Sequence, residues 1–253
     1  MKKYKKNFKK YWFTIIIVIL AIALYWFLTE YGIANPYLFP KIESILKAMN
    51  DNKHLMVLNL LASFSIMIPS IAISFLLAIG IGTFLGLNKK YRDPLYPIIY
   101  ALSVIPSILL SPFVLLLAPN FRIASVFLIV YGTMWTTLFA TITGVMTVDK
   151  KYIDKANTLE LKGVERLVKV ILPAASPSIL SGFVSSLRST FVMLVYAEMY
   201  GSSYGMGHFV KKYTDFGIYT NAWAGFIFLV IVLIIIMQFF EFIKARILHW
   251  TTD

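Results

Sequence analysis

The stretch 149–173, DKKYIDKANTLELKGVERLVKVILP, decides how the rest of the chain is read. Ten of its 25 residues are charged, and it lies between two long apolar runs. Each Lys, Arg or Asp at a bilayer centre costs roughly 2.5–3.5 kcal/mol on insertion scales, so the stretch belongs outside lipid. Apolar residues still recur through it at helical spacing, which predicts short helices with one face open to another protein. Asp149 is the expected N-cap of a helix over 150–160, with Tyr152, Ile153, Ala156 and Leu159 on its apolar face. Gly163 permits a turn, and a second helix over 164–172 is expected to end before Pro173.

Outward from this stretch the chain is apolar. Hydrophobic residues make up 59% of 253 positions and charged residues 14%, the composition of an all-α membrane protein. Six spans are expected, at about 11–28, 56–87, 94–118, 121–148, 178–200 and 222–242. The second is over-long and is expected to begin as an outer or interfacial helix. With the N-terminus inside, the inner segments hold 17 Lys and Arg and the outer segments six, with Arg188 inside a span. That bias predicts an N-in, C-in topology and places 149–173 in the cytoplasm. The basic tail, residues 1–10, is expected to lie against anionic lipid rather than nucleic acid. The apolar run behind it continues past a small-x-small site at Ala21-Ile22-Ala23, which favours an uncleaved anchor over a signal peptide. Between the first two spans, Pro36 and Pro40 precede Ile42, Ile45, Leu46 and Met49 at helical spacing, the pattern of a short outer amphipathic helix.

Several functions are disfavoured by what the chain lacks. It has no G-x-x-x-x-G-K-[ST], so it holds no nucleotide through a P-loop. It has no cysteine, and His54, His208 and His249 are far apart, so neither a metal nor another cofactor is expected. No reactive constellation for an intramembrane enzyme is present, and no catalytic residue is assigned. A proton-driven pump would carry several ionisable groups within its spans, and only Arg188 and Glu198 qualify. Gly82 and Gly86 have the spacing for close helix packing, either within the subunit or at a dimer seam. Pro69, Pro106 and Pro112 lie inside apolar runs and are expected to bend them, whether to line a pathway or as ordinary membrane-helix prolines.

Asp154-Lys155-Ala156, Leu159, Gly163 and the closing Val170-Ile171-Leu172-Pro173 resemble the E-A-A…G…LP coupling loop of ABC importer permeases. Further markers follow the nitrate/sulfonate/taurine-type family. They are Phe39-Pro40-Lys41, Ser103-Val104-Ile105-Pro106, LPAASPSILSG at 172–182 and AEMYGSSYGMGHFV at 197–210. The resemblance runs from Phe39 to the C-terminus, about five-sixths of the chain.

It implies a type I (MetI-like) importer permease fold, a permease domain over 11–253, and a homodimer in a bacterial cell membrane. Two ATPase subunits would dock at 149–173, and a substrate-binding protein would deliver the solute. Sulfonates, nitrate or other anions and thiamine-type vitamin precursors are the solutes that relatives carry. The implied coupling residues are Asp154, Ala156, Leu159, Gly163, Leu172 and Pro173. The implied pathway or gate residues are Arg188, Glu198, Gly201, Gly205 and Gly207. Arg188 either meets an anionic substrate or makes a structural pair; Glu198 either gates, supports the structure or reaches interfacial water. The loop departs from the family pattern at Asp154, at Lys155 and at Glu160, where a glycine is usual. The alternative is a secondary transporter or channel working alone, which would need intramembrane ion sites or an internal repeat.

Overall fold

A computed structural model describes residues 2–248, with side chains from Trp12 onward. The side chains of the basic tail and residues 249–253, His249 among them, lie outside that range. Every regular element among the described residues is helical. The long helices are α1 (Lys2–Glu30), α3 (Lys53–Leu87), α6 (Phe121–Met146), α9 (Leu172–Gly201) and α11 (Tyr219–Ile247). Shorter ones are α2 (Ile42–Asp51), α4 (Lys89–Val104), α5 (Ser107–Leu117), α7 (Lys150–Thr158), α8 (Gly163–Arg166) and α10 (Met206–Asp215). Five helices are long and apolar enough to cross a membrane, or six spans if α4 and α5 count as one.

The bundle is organised around α6, which packs along both α3 and α9. Small residues set how closely these helices approach, as membrane interiors require. A methyl group added at Gly82 or Gly86 would lie 2.7 Å from the Cβ of Thr141 or Val145. The Gly82/Gly86 pair therefore packs within the subunit. Hydroxyls add directed contacts across the same seams. Thr133 Oγ1 donates to Ser74 Oγ at 3.1 Å, and Ser178 Oγ donates to the Ala140 carbonyl at 2.8 Å. The outer amphipathic helix is present as α2, burying Ile45 and Ala48 against Met56, Met206 and Phe209. The first helix stands apart. Its outer end is tied by Tyr25 Oη donating to the Pro40 carbonyl at 2.8 Å and by a Lys41–Glu30 ion pair at 2.8 Å.

One expectation is sharpened and one is corrected. The bend expected at Pro106 breaks the third apolar run outright, with α4 and α5 meeting at 86°. Pro106 lacks an amide proton and drives Ile105 into an extended conformation, with φ −70° and ψ 117°. Secondly, the helix after Gly163 does not stop at Pro173. It passes through a π-helical segment, Leu167–Ile171, directly into α9, so that 163–201 forms one 39-residue rod. The wider π turn comes just before Pro173, where a tight α turn would press the ring on the carbonyl four residues back.

The α3–α6 seam makes a stability prediction. Replacing Gly82 with Val should cost about 1–3 kcal/mol through overpacking. Gly80→Val, where an added methyl meets nothing within 4 Å, should be near neutral. Thermal unfolding of the two purified variants compares them directly.

Candidate functional site

The charged stretch folds as two short helices against the foot of α9. The Asp149 carboxylate accepts from the Lys151 amide at 2.8 Å and caps α7, as expected. The helix closes in a Schellman pattern: Leu161 N–H donates to the Ala156 carbonyl at 2.9 Å and Glu160 N–H to that of Asn157 at 3.0 Å. Glu160 is thereby placed at φ 52°, and Gly163 follows at φ 55°. Position 160 thus adopts the left-handed turn that a glycine makes easily, and Glu160 makes it at a steric cost. α10 ends in the same pattern with Gly217 at φ 71°, where Ile218 N–H reaches Tyr213 and Gly217 N–H reaches Thr214.

The apolar residues of α7 divide between two faces. Ala156 is fully buried, and Ile153 packs with Val145, Ile171, Ala175 and Ile179. These residues fasten α7 to its own chain. Leu159 is 69% exposed, and Tyr152, Val164 and Val168 are exposed with it. A groove of about 380 Å³ runs between α7 and the α9 foot, with Lys155, Leu159, Lys169 and Pro173 on its walls. Leu172 is half-buried in the core beside Ile171, while Asp154 and Gly163 are exposed. The six residues expected to couple to an ATPase therefore form one local unit, but Ala156 and Leu172 support it from beneath.

A second feature lies at the α4–α5 break, in the middle of the bundle. A cavity of about 400 Å³ opens there, lined by Ser103, Pro106, Ser107, Trp135, Arg188 and neighbours. Arg188 projects from α9 and is exposed to this space, with no ion pair or hydrogen bond among the described residues. Tyr131 Oη donates to the Leu102 carbonyl at 2.6 Å, and Ser103 Oγ to that of Tyr100 at 2.7 Å. Of the carbonyls left at the end of α4, that of Leu102, which Pro106 cannot serve, is answered in this way.

The third feature is at the other end of α9. Glu198 is 1% exposed. Its Oε2 accepts from the Gly207 amide at 2.8 Å, Asn59 Oδ1 from the Gly205 amide at 2.9 Å, and Ser63 Oγ from the Met206 amide at 2.9 Å. Three consecutive amides at the start of α10 are thus held by side chains of α3 and α9, satisfying donors that a helix start leaves free. A side chain at Gly205, whose φ is 118°, would collide with the Glu198 carboxylate, and one at Gly207 would lie 2.5 Å from the Val195 carbonyl. Gly201 admits the Phe121 ring against the end of α9. The structure brings Glu198, Gly205 and Gly207 together and keeps Arg188 apart from them. Sequence reasoning missed Asn59, Ser63 and Trp135. The first two carry a signal: polar residues four apart on an apolar helix share a face that must turn inward. Among the described residues no cluster of His, Asp or Glu is arranged to hold a metal.

An all-helical bundle of this kind, with a charged helix pair at the foot of one span, is the architecture of type I importer permeases. The fold matches a chain of the MetNI methionine ABC transporter in an inward-facing conformation, with a TM-score of 0.62 at 16% identity. The match covers 79% of this chain and 98% of that one. Residues 78–251 match the profile of the binding-protein-dependent transport system inner membrane component, and the chain belongs to that family. It is 31% identical over 183 residues to the putative aliphatic sulfonates transport permease protein SsuC of Bacillus subtilis (strain 168), across 71% of this chain and 66% of the relative. It is 25% identical over 181 residues to the nitrate import permease protein NrtB of Leptolyngbya laminosa, across 70% and 65% respectively. The chain thus spans about two thirds of the length of these two relatives. The family is the membrane component of its transport systems and is not itself catalytic.

Two predictions follow from this geometry. Glu160→Gly should relieve left-handed strain and stabilise the α7 turn by about 1 kcal/mol, read as slower amide exchange across α7; Glu160→Ala should not. Glu198→Ala should free α10. A cysteine placed at the buried Met206 should then react with a thiol reagent much faster than it does with Glu198 present.

Proposed function

We propose that this chain is the membrane-spanning permease subunit of an ATP-driven importer of small solutes, working as a homodimer. Two ATPase subunits dock on the stretch 149–173 at the cytoplasmic face, and a substrate-binding protein delivers solute from outside. The observation that carries this reading is the exposed apolar patch of Tyr152, Leu159, Val164 and Val168 on a charged helix pair outside the spans. Such a patch is a docking surface for protein. Its placement outside lipid follows from charge, and the bias of Lys and Arg puts it on the inner side with both termini.

The fold supplies a route for motion. The rod over 163–201 is about 58 Å long at 1.5 Å per residue. It begins beside the docking patch, passes the Arg188 cavity and ends at Glu198. Buried Ala156 and Ile153 fix α7 to the foot of this rod. A partner that grips α7 and α8 therefore moves the rod as a rigid body, which shifts the central cavity and the outer α10 cap together.

Affinity purification of the tagged permease from its own cell should recover a P-loop ATPase, identified by mass spectrometry. Leu159→Asp should lower that recovery at least tenfold without changing the amount of inserted permease. Transport that persists with no ATPase present, or full recovery with Leu159→Asp, would overturn the assignment. Ala156→Asp is a less direct probe, because its first effect is to detach α7 from its own chain.

A further inference from the structure

We propose that Arg188 is the latch of a hinged flap: as the cavity at the α4–α5 break closes, its guanidinium seats on the Ser103, Val104 and Ile105 carbonyls that end α4. The inference rests on the permease reading for the motion that closes the cavity. It starts from two unsatisfied sets of groups that share one space. Arg188 lines the cavity with no ion pair or hydrogen bond among the described residues. Ser103, Val104 and Ile105 line the same cavity, and their carbonyls accept no hydrogen bond among the described residues. Water can serve both sets while the cavity is open. Once water leaves, bare backbone and a bare arginine are costly inside a membrane, and each set is what the other lacks.

The chain offers this guanidinium no carboxylate. No residue lining the cavity is acidic. Glu198, farther along α9, is 1% exposed and bonded to the Gly207 amide. What the cavity does offer is a helix end. The last carbonyls of a helix carry about half a negative charge, and basic side chains near a helix C-terminus bond them. A guanidinium holds five N–H donors in one plane, enough for three carbonyls, where a lysine is a point charge. Backbone carbonyls are among the usual partners of an arginine within a membrane.

The two sides of the break are held differently. No residue of α4 is buried within the chain. α5 is fixed: Ser107 is buried, its hydroxyl donates to Met193 Sδ at 3.1 Å, and a methyl group at Gly132 would lie 2.6 Å from its oxygen. Between them Ile105 sits at φ −70° and ψ 117°, in the extended basin that a residue before proline favours. No backbone hydrogen bond crosses the break among the described residues. Rotation within that basin therefore swings α4 against a stationary α5, as a hinge residue does. Tyr96 and Tyr100 of α4 rest on the Phe139 ring, and one hydrogen bond holds the tip: Tyr131 Oη donates to the Leu102 carbonyl at 2.6 Å. Tyr131 and Arg188 thus act on neighbouring carbonyls of one helix end in opposite senses. Tyr131 is the strut of the open flap, and Arg188 is the latch of the closed one.

The test uses the full-length permease in lipid nanodiscs with spin labels at Val104→Cys and Val192→Cys, in a chain that has no cysteine of its own. Both positions are exposed on the cavity wall, one on the flap and one on α9. Labelled chains are diluted into unlabelled ones, so that pulsed electron resonance reads the distance within one chain. Two distances are expected, the shorter being the latched state. Arg188→Met should lower the short fraction roughly tenfold or more and Arg188→Lys less, while Tyr131→Phe should raise it a few-fold. The latch is overturned if the parent shows a single distance both alone and with any copurified ATPase and a non-hydrolysable ATP analogue. It is overturned equally if Arg188→Met leaves the short fraction unchanged, or if Arg188→Met and Tyr131→Phe shift it in the same direction. Should Arg188→Met fail to insert, Tyr131→Phe decides, and a short fraction that does not rise overturns the proposal. Recovery of a P-loop ATPase is scored separately. ATPase present with no latched state removes the latch and leaves the permease reading; ATPase absent removes the permease reading, and the distances still judge the latch.

Discussion

Every helix end inside an apolar medium leaves amides or carbonyls that water cannot reach, and this chain interrupts its helices in two places within or beside its spans. The whole arrangement depends on how those ends are satisfied. At 202–205 the amides are answered by side chains: Asn59, Ser63 and Glu198 accept from Gly205, Met206 and Gly207 at the start of α10. At the Ile105–Pro106 break the solution is partial. Tyr131 serves the Leu102 carbonyl of α4, while the start of α5 lies beside a cavity that Arg188 also lines. The closed end behaves as a structural joint.

The joint at α10 explains why a buried carboxyl is tolerated. Glu198 lies against the backbone of Gly205 and Gly207, and its Oε2 serves as a helix-capping acceptor, while its Oε1 is buried with no partner among the described residues. Gly205 and Gly207 are there because a Cβ at either position would strike Glu198 or the Val195 carbonyl. Three elements distant in sequence are held by one short run of amides. A displacement of α9 relative to α3 must then break or carry α10 with it, which links the outer surface to the rod that reaches the docking patch.

Much of this was legible in the chain, and the limits have physical causes. The position of 149–173 outside lipid follows from charge density, which is local and additive. The Asp149 cap and the outer helix α2 follow from short-range patterns, and both are present. The bend at Pro106 was legible from its missing amide, but its size was not: hydropathy averages over a window and is blind to direction, so an apolar run that turns through 86° scores like a straight one. The burial of Glu198 was hidden for another reason. The groups that share its task, Asn59 and Ser63, lie 146 and 143 residues from the amides they hold. No local pattern reports such a distance. Pro173 misled through a sound rule, since proline ends most helices; here the π-helical turn over Leu167–Ile171 lets the rod continue.

Glu160 shows how a departure from a family pattern can leave geometry intact. The turn after α7 needs a left-handed residue one position past the C-cap, and the backbone adopts it with Glu160 as α10 does with Gly217. The non-glycine side chain adds steric cost but also projects a carboxylate at the edge of the docking patch, where a glycine would present none. With Lys155 exposed beside the groove, the patch acquires one added charge of each sign around its apolar centre. Apolar burial then supplies the general attraction, while the charges select among partners by rewarding complementary surfaces and opposing like ones. On the proposed docking role, the same fold keeps its coupling motion while two side chains on the rim set its fit to a particular ATPase.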